Sequence, residues 1–145
     1  MARTSTYLNF PGTTEEAFLF YRSVFGGEFI GNGIARFKDM PPMEGMPPMP
    51  ESDAGLVMHV ELAITGGHVL MGTDAAESMG FKVNFGNNTY ISLEPDTKEE
   101  ADRLFQSLSA GGIIEQAMQE TFWNAYFGSF QDKFGVRWMI NFYHK

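Results

Sequence analysis

A histidine and a glutamate two positions apart are the side chains of this sequence best suited to chemistry. His59 and Glu61 lie in the predicted strand 56–65, and residues i and i+2 of a strand share one face. An imidazole and a carboxylate on one face could bind a divalent cation or act as an acid–base pair. The alternative is a histidine satisfied by hydrogen bonds beside a solvated glutamate, and a general base needs a partner that the sequence does not show.

Four methionines at a spacing of three are the second candidate. Met40, Met43, Met46 and Met49 stand in the segment MPPMEGMPPMP, and proline-rich segments favour polyproline II, which has about three residues per turn. The thioethers would then lie along one edge, where they could bind Cu(I), although no cysteine or histidine accompanies them. The other interpretations are a disordered loop and a partly ordered lid. We adopt the lid, an adaptable apolar wall over a cleft or against a second subunit.

Several further side chains could contact a ligand or serve only the fold. Trp123 could stack on a ligand while Glu120 contacts its polar end, or Trp123 could simply complete the core. Asn141 could offer an amide to a ligand or bond to the neighbouring strand. We expect His68 to be an exposed residue of a hairpin and His144 to have no role.

Composition excludes several classes of function. The net charge is −8, and the ten lysines and arginines are scattered, which argues against binding to a phosphate backbone. The sequence has no cysteine, which removes disulfides, thiolate catalysis and zinc–cysteine sites. No segment approaches the roughly 20 apolar residues that span a bilayer. We therefore expect a cytoplasmic protein that contacts neither nucleic acid nor membrane.

The sequence repeats one pattern twice, and this repeat must position the candidate residues. Segments 13–24 and 97–108 align without gaps, each with an early Glu-Glu pair and each followed by a glycine pair. Both segments show the spacing i, i+3, i+4, i+7, which predicts an amphipathic helix. The predicted buried faces are Ala17, Phe20, Tyr21 and Val24 in one helix, and Ala101, Leu104, Phe105 and Leu108 in the other.

Strand signals surround both predicted helices. An alternating segment precedes each helix, at 7–10 and 90–93, and places four residues on the side away from the helix: Tyr7, Asn9, Tyr90 and Ser92. Three further strands follow each helix, so the sequence predicts an α+β fold of two βαβββ modules, at about 1–76 and 86–145, within one domain. The following strands are predicted at 28–37, 56–65 and 68–74, and at 114–121, 124–131 and 136–143.

The first module contains an insertion. The helices align at an offset of 84 residues and the closing strands, 67–73 and 135–141, at an offset of 68, so the first module has about sixteen extra residues. The excess coincides with 38–54, which contains the four methionines. A segment present in one copy alone is dispensable for the basic fold and is a candidate for function.

Three segments of the sequence resemble one known family. They are TYLNFPGTTEEAFLFYRSVFGGE at 6–28, VMHVELAITGGHVLMGTD at 57–74 and ETFWNAYFGSFQDKFGVRWMINF at 120–142. Together they resemble the vicinal oxygen chelate superfamily, also called glyoxalase/bleomycin-resistance/dioxygenase-like, and within it the PhnB-type branch. The resemblance implies two βαβββ modules whose curved mixed sheets form a cleft, usually in a homodimer.

The resemblance also implies a divalent metal, held by a histidine from the first strand and a glutamate from the last strand of each module. The first-strand positions fall on Tyr7 and Tyr90, and the last-strand positions fall on Met71 and Met139. A neutral thioether is a poor ligand for Mg²⁺, Mn²⁺ or Zn²⁺, and a phenol stays largely protonated at neutral pH. We therefore expect no metal at these positions and no cofactor.

The sequence supports three functional hypotheses. The first is a metal-free protein that binds an apolar or aromatic molecule in an internal cleft, with itself as its protein partner. The second is a metal-dependent glyoxalase- or dioxygenase-like lyase, isomerase or transferase that uses His59, Glu61 and Glu120. The third is an interaction module whose cleft is filled by its own side chains. The predicted cleft residues are Tyr7, Asn9, His59, Glu61, Met71, Tyr90, Trp123, Met139 and Asn141.

Overall fold

The computed structural model describes residues 2–41, 45 and 50–144, which divide into two compact units, Met1–Val83 and Asn84–Lys145. Among these described residues, each unit contains a four-stranded sheet with one parallel and two antiparallel neighbour pairs, and one α-helix. The predicted α+β fold of two βαβββ modules is confirmed. Within the described residues, neither α-helix is long and apolar enough to cross a bilayer.

The first unit has the strand order β1 (Ser5–Phe10), β4 (Val69–Asp74), β3 (Val57–Ala63), β2 (Ala35–Arg36). The first and last strands of the module are therefore parallel neighbours. A short 3-10 turn at Thr65–Gly67 joins β3 to β4. Other 3-10 turns lie at Phe37–Asp39, Glu51–Asp53 and Glu77–Met79. The main elements are β1 (Ser5–Phe10), α1 (Thr14–Phe25), β2 (Ala35–Arg36), β3 (Val57–Ala63) and β4 (Val69–Asp74).

The buried face of α1 differs from the prediction by one residue. Ala17, Tyr21 and Val24 are buried as predicted, but Phe18 is fully buried and Phe20 is not. Phe18 packs over Gly72 of β4, where an added Cβ would lie 2.4 Å from Phe18 Cε1. A glycine in the strand therefore creates the space that this ring fills, and side-chain spacing within the helix cannot reveal it.

The predicted strand 28–37 is wrong over most of its length. Only Ala35–Arg36 pairs with β3, and residues 28–34 are irregular. Gly31 and Gly33 adopt φ angles of 70° and 82°, in the left-handed region that interrupts an extended strand. One backbone bond, from Ile30 N to Glu61 O at 2.9 Å, still holds this segment beside β3.

The second unit follows the prediction closely. Its helix α2 buries Ala101, Leu104, Phe105 and Leu108, which is the whole predicted face. The Thr97 hydroxyl caps this helix by accepting a hydrogen bond from Glu100 N at 3.1 Å. The strand order is β5-β8-β7-β6, and the elements are β5 (Ile91–Leu93), α2 (Lys98–Ser109), β6 (Ile113–Glu120), β7 (Ala125–Gln131) and β8 (Arg137–Tyr143).

In each unit, one buried carboxylate stabilises the fold by accepting hydrogen bonds from several segments. Asp74, at the end of β4, is 3% exposed and accepts hydrogen bonds from Thr14 N at 3.0 Å and Val57 N at 2.8 Å. It thereby joins β4 to the start of α1 and to the start of β3. Asp132 accepts bonds from the backbone of the β7–β8 turn and from Trp138 Nε1 at 2.9 Å. Buried charges are tolerated where such donors satisfy them.

The predicted lid is described only in part. Met40 is partly buried and ends the 3-10 turn Phe37–Asp39, while Met43, Met46 and Met49 lie outside the described residues. The insertion 38–54 begins and ends beside the sheet, because Lys38 N bonds to Ala54 O at 2.9 Å. The lid therefore stays a prediction.

Replacing Asp74 with asparagine should lower the free energy of unfolding by about 1–3 kcal/mol. The amide keeps one acceptor oxygen but turns an NH₂ group toward a backbone N–H that has lost its partner. Urea denaturation of Asp74→Asn against wild type measures the change, and Asp96→Asn, at an exposed aspartate, is the matched control. Equal stability of both variants would contradict the role given to Asp74.

A tyrosine that joins β7 to α2 should make stability depend on alkaline pH. The Tyr126 hydroxyl donates to Asp102 Oδ1 at 2.7 Å, and this bond, with burial, raises the pKa of Tyr126 to about 12. Because the folded pKa exceeds the unfolded value of about 10, this contribution is complete below pH 10 and is lost as pH rises from 10 to 12. The Tyr126→Phe variant should lose stability less steeply than wild type across that range.

The measurement is the urea midpoint at several pH values between 9 and 12. Tyr143→Phe, which removes an exposed tyrosine of the same unit, is the control. If Tyr126→Phe keeps the full wild-type slope, the hydrogen bond to Asp102 does not contribute in this way.

Candidate functional site

Five predicted cleft residues lie on one face of the first sheet, on the side away from α1. Tyr7 and Asn9 project from β1, and Tyr7 is the register partner of Met71 on β4. Met71 is in turn the partner of Glu61 on β3, whose neighbour on the same face is His59. The alternation of each strand, with its other face packed on α1, places them there.

His59 and Glu61 form a hydrogen-bonded pair. His59 Nε2 lies 3.0 Å from Glu61 Oε2, and Arg3 donates to Glu61 Oε1 at 3.2 Å. The bond from His59, and to a smaller extent Arg3, lowers the pKa of Glu61 although burial opposes the shift. The Tyr7 ring centroid lies 5.8 Å from the His59 ring centroid. Both oxygens of the carboxylate are therefore engaged by neighbouring side chains.

A cavity of about 340 Å³ opens in the first unit beside this pair. Tyr7 and Asn9 line it, whereas His59, Glu61 and Met71 do not. Most of the wall was not predicted from the sequence, because Met58 was assigned to no site and Met79 and Phe81 lie outside every predicted element. The signal that could have identified this part of the wall is the pair of apolar residues Met79 and Phe81, which lie in a segment without helix or strand periodicity. The lining residues are Tyr7, Asn9, Phe37, Met58, Thr73, Asp74, Ala75, Met79 and Phe81.

The second unit does not repeat the arrangement of the first. The register partner of Met139 is Ser92, so Ser92 and not Tyr90 occupies the position that Tyr7 has beside Met71. The Tyr90 hydroxyl instead donates to Glu115 at 2.9 Å. The register follows from burying Leu93 beside Ile140 on the helix side of the sheet. The sequence predicted Tyr90 as the equivalent of Tyr7, but Ser92 is the equivalent residue.

Trp123 lies on the hairpin between β6 and β7 and is not a core residue. Its side chain is 48% exposed, and the adjacent Phe122 is 96% exposed. The Trp123 ring contacts the rings of Phe122 and Phe127 at centroid distances of 4.9 and 6.2 Å. The interpretation that Trp123 completes the core is wrong, because the tight turn projects both rings outward.

The other polar candidates have protein partners, with one exception. His68 is partly buried and lies 2.8 Å from the Thr6 hydroxyl, so it is not a free hairpin residue. His144 Nε2 contacts both carboxylate oxygens of Glu120, at 2.5 and 2.9 Å. Asn141 Oδ1 is buried without a hydrogen-bond partner among the described residues, beside a cavity of about 290 Å³.

The residues present do not fit the metal that the resemblance implies. At the positions where the resemblance implies metal ligands, the first unit has Tyr7 and Met71, and the second has Ser92 and Met139. Within the described part of each unit, no three histidine, aspartate or glutamate side chains gather into a possible metal site. Of the alternative set, His59 and Glu61 belong to the first unit and Glu120 to the second.

Comparison with known proteins identifies the family. A family model described as 3-demethylubiquinone-9 3-methyltransferase matches residues 2–141. Protein YjdN of Escherichia coli strain K12 is 35% identical over 142 residues, which cover 94% of this chain and 92% of that protein. The crystal structure of protein PA1353 from Pseudomonas aeruginosa has a TM-score of 0.83 at 32% identity, with 100% of both chains covered. The PhnB protein of Bacillus cereus has a TM-score of 0.73 at 27% identity, covering 97% of this chain and 99% of that chain.

More distant structures share the fold alone. A glyoxalase/bleomycin resistance protein/dioxygenase family enzyme from Burkholderia phytofirmans has a TM-score of 0.57 at 19% identity, covering 96% of this chain and 98% of that chain. The resemblance recognised in the three sequence segments is thereby confirmed. The chain belongs to the family described as 3-demethylubiquinone-9 3-methyltransferase, the PhnB-type branch of the vicinal oxygen chelate fold.

Proposed function

We propose that this protein binds a small, largely apolar molecule in the cavity of its first unit and does so without a divalent metal. The observation that carries the proposal is the cavity of about 340 Å³ with aromatic and thioether walls. Ligand cavities in proteins are typically roughly 300–1,000 Å³, and most of their walls are apolar. The volume lies at the lower end of that range, which suits a ligand of one or two rings.

The walls support an aromatic ligand. Tyr7, Phe37 and Phe81 offer ring faces and edges, which favour offset or edge-to-face contact with another ring. Met58 and Met79 add flexible, polarizable side chains that adapt to irregular shapes. Phe81 and Tyr7 are each about half exposed, so part of the apolar surface is available to a ligand.

The donor chemistry supports binding without a metal. The thioethers and the phenol at the positions where the resemblance implies metal ligands bind divalent cations such as Mg²⁺, Mn²⁺ or Zn²⁺ weakly. The one histidine–glutamate pair nearby is bonded internally and to Arg3. We infer that ligand recognition here depends on shape and contact.

The family description suggests which ligands to test first. It names a demethylubiquinone, a substituted quinone ring, as the molecule on which the family acts. A quinol or naphthol would place one or two rings between the aromatic and thioether walls. We propose neutral aromatic alcohols of this kind as the first ligand class. Self-association into a homodimer stays a prediction.

A second candidate function rests on the His59–Glu61 contact. A carboxylate that orients an imidazole is an arrangement used in acid–base catalysis and in metal binding. This candidate is a metal-dependent lyase, isomerase or transferase. A metal site here would require further ligands besides His59 and Glu61. The metal ion would also compete with Arg3 for the Glu61 carboxylate.

Shortening the cavity walls should weaken ligand binding without unfolding the protein. Met79→Ala and Tyr7→Ala should each raise the Kd for 2-naphthol about tenfold, since about 1.5 kcal/mol of apolar contact is lost. Fluorescence titration measures the Kd, and circular dichroism checks the fold. Tyr143→Ala, at an exposed tyrosine of the second unit, is the control. Unchanged affinity in both cavity variants would contradict the proposal.

Metal analysis separates the two candidates. Protein purified without chelator should contain far less than one equivalent of Zn, Ni, Mn or Fe by mass spectrometry. Stoichiometric metal that disappears in His59→Ala would support the second candidate and overturn the first. His68→Ala is the matched control, because His68 is engaged with Thr6 in a hairpin.

A further inference from the structure

The described wall of the cavity in the first unit is nearly free of charge. Among the nine described lining residues Asp74 is the charged one, and backbone N–H groups of Thr14 and Val57 engage both of its oxygens. Its side chain is almost completely buried. Asp74 therefore serves the fold and has little capacity left for a ligand.

Among the described residues of this unit, no arginine or lysine lines the cavity. Arg3 bonds to Glu61, and Arg36 bonds to Glu15 at 2.9 Å and to Gly55 O at 2.8 Å. Lys38 and Lys82 adjoin the lining residues Phe37 and Phe81 in sequence, but both are exposed and neither lines the cavity. A buried anionic group on a ligand would thus lack a cation among the described lining residues.

Neutral hydrogen-bonding capacity remains on one strand. The Tyr7 hydroxyl and the Asn9 amide lie two positions apart on the same face of β1, and no described protein group bonds to either side chain. Thr73, the register partner of Asn9, donates a hydrogen bond from its hydroxyl to Val57 O at 3.3 Å. Its oxygen can still accept a bond. The cavity can therefore donate to and accept from one neutral polar group.

We propose that this cavity selects uncharged ligands that carry an oxygen facing Tyr7 and Asn9, and that it rejects anions of the same shape. This inference rests on the proposed function. Even partial removal of a carboxylate from water, without a paired cation, costs more than partial removal of a hydroxyl that finds a partner. The net charge of −8 adds repulsion at longer range.

Three probes that share one ring system test the selection. At pH 7 and moderate salt, 2-naphthol should bind at least about tenfold more tightly than 2-naphthoate. 2-(Aminomethyl)naphthalene as its ammonium, the probe of opposite charge, should lose less affinity than 2-naphthoate, because the net charge of −8 attracts it. Naphthoate binding as tightly as naphthol, or the ammonium binding no better than naphthoate, would overturn the charge selection while leaving the proposed function intact. Failure of all three probes to bind would overturn the proposed function, and this inference with it.

Charge variants at Asn9 make the test independent of the probes' other properties. Asn9 is exposed, so Asn9→Lys and Asn9→Asp should both fold. Asn9→Lys should raise affinity for naphthoate relative to naphthol by about tenfold, because it supplies the missing cation. Asn9→Asp, the matched control of opposite sign, should not. An unchanged ratio in Asn9→Lys would overturn the inference.

Discussion

Each unit of this protein depends on a carboxylate buried at the end of an inner strand. In the first unit Asp74 accepts backbone N–H bonds from the start of α1 and the start of β3, so one side chain fixes three elements. In the second unit Asp132 holds the β7–β8 turn and the indole of Trp138. A buried carboxylate is tolerated here because protein hydrogen-bond donors replace the water that would otherwise solvate it. By fixing the strand ends, it also fixes the sheet whose opposite face carries the candidate site.

The two faces of the first sheet have separate tasks. One face packs on α1, where Gly72 leaves space for Phe18. The opposite face carries Tyr7, Asn9 and Met71 in adjacent rows. Because side chains alternate strictly along a strand, the packing that buries one set necessarily presents the other. The presented face also carries the His59–Glu61 pair, which is bonded internally and to Arg3. Its other side chains are phenol, amide and thioether, which favour contact with neutral and apolar molecules over coordination of hard cations.

The two modules share a topology but not a site. In the first, a cavity opens between the sheet and the segments that contribute Phe37, Met79 and Phe81. In the second, the corresponding strands carry an ionic network in which Glu115 bridges Tyr90 and Arg137. The hydrophobic pattern that specifies each module constrains only the buried face. The exposed faces of the two copies are therefore free to differ.

The sequence by itself determined the fold class, both helices and all but one of the strands, because periodicities of 3.6 and 2 are written in local spacing. The tertiary structure decided the short β2, the placement of Ser92 beside Met139, and the cavity wall that includes Met79 and Phe81. Those features depend on strand register and on which irregular segments fold back over the sheet. Such contacts join residues distant along the chain, so no local pattern records them.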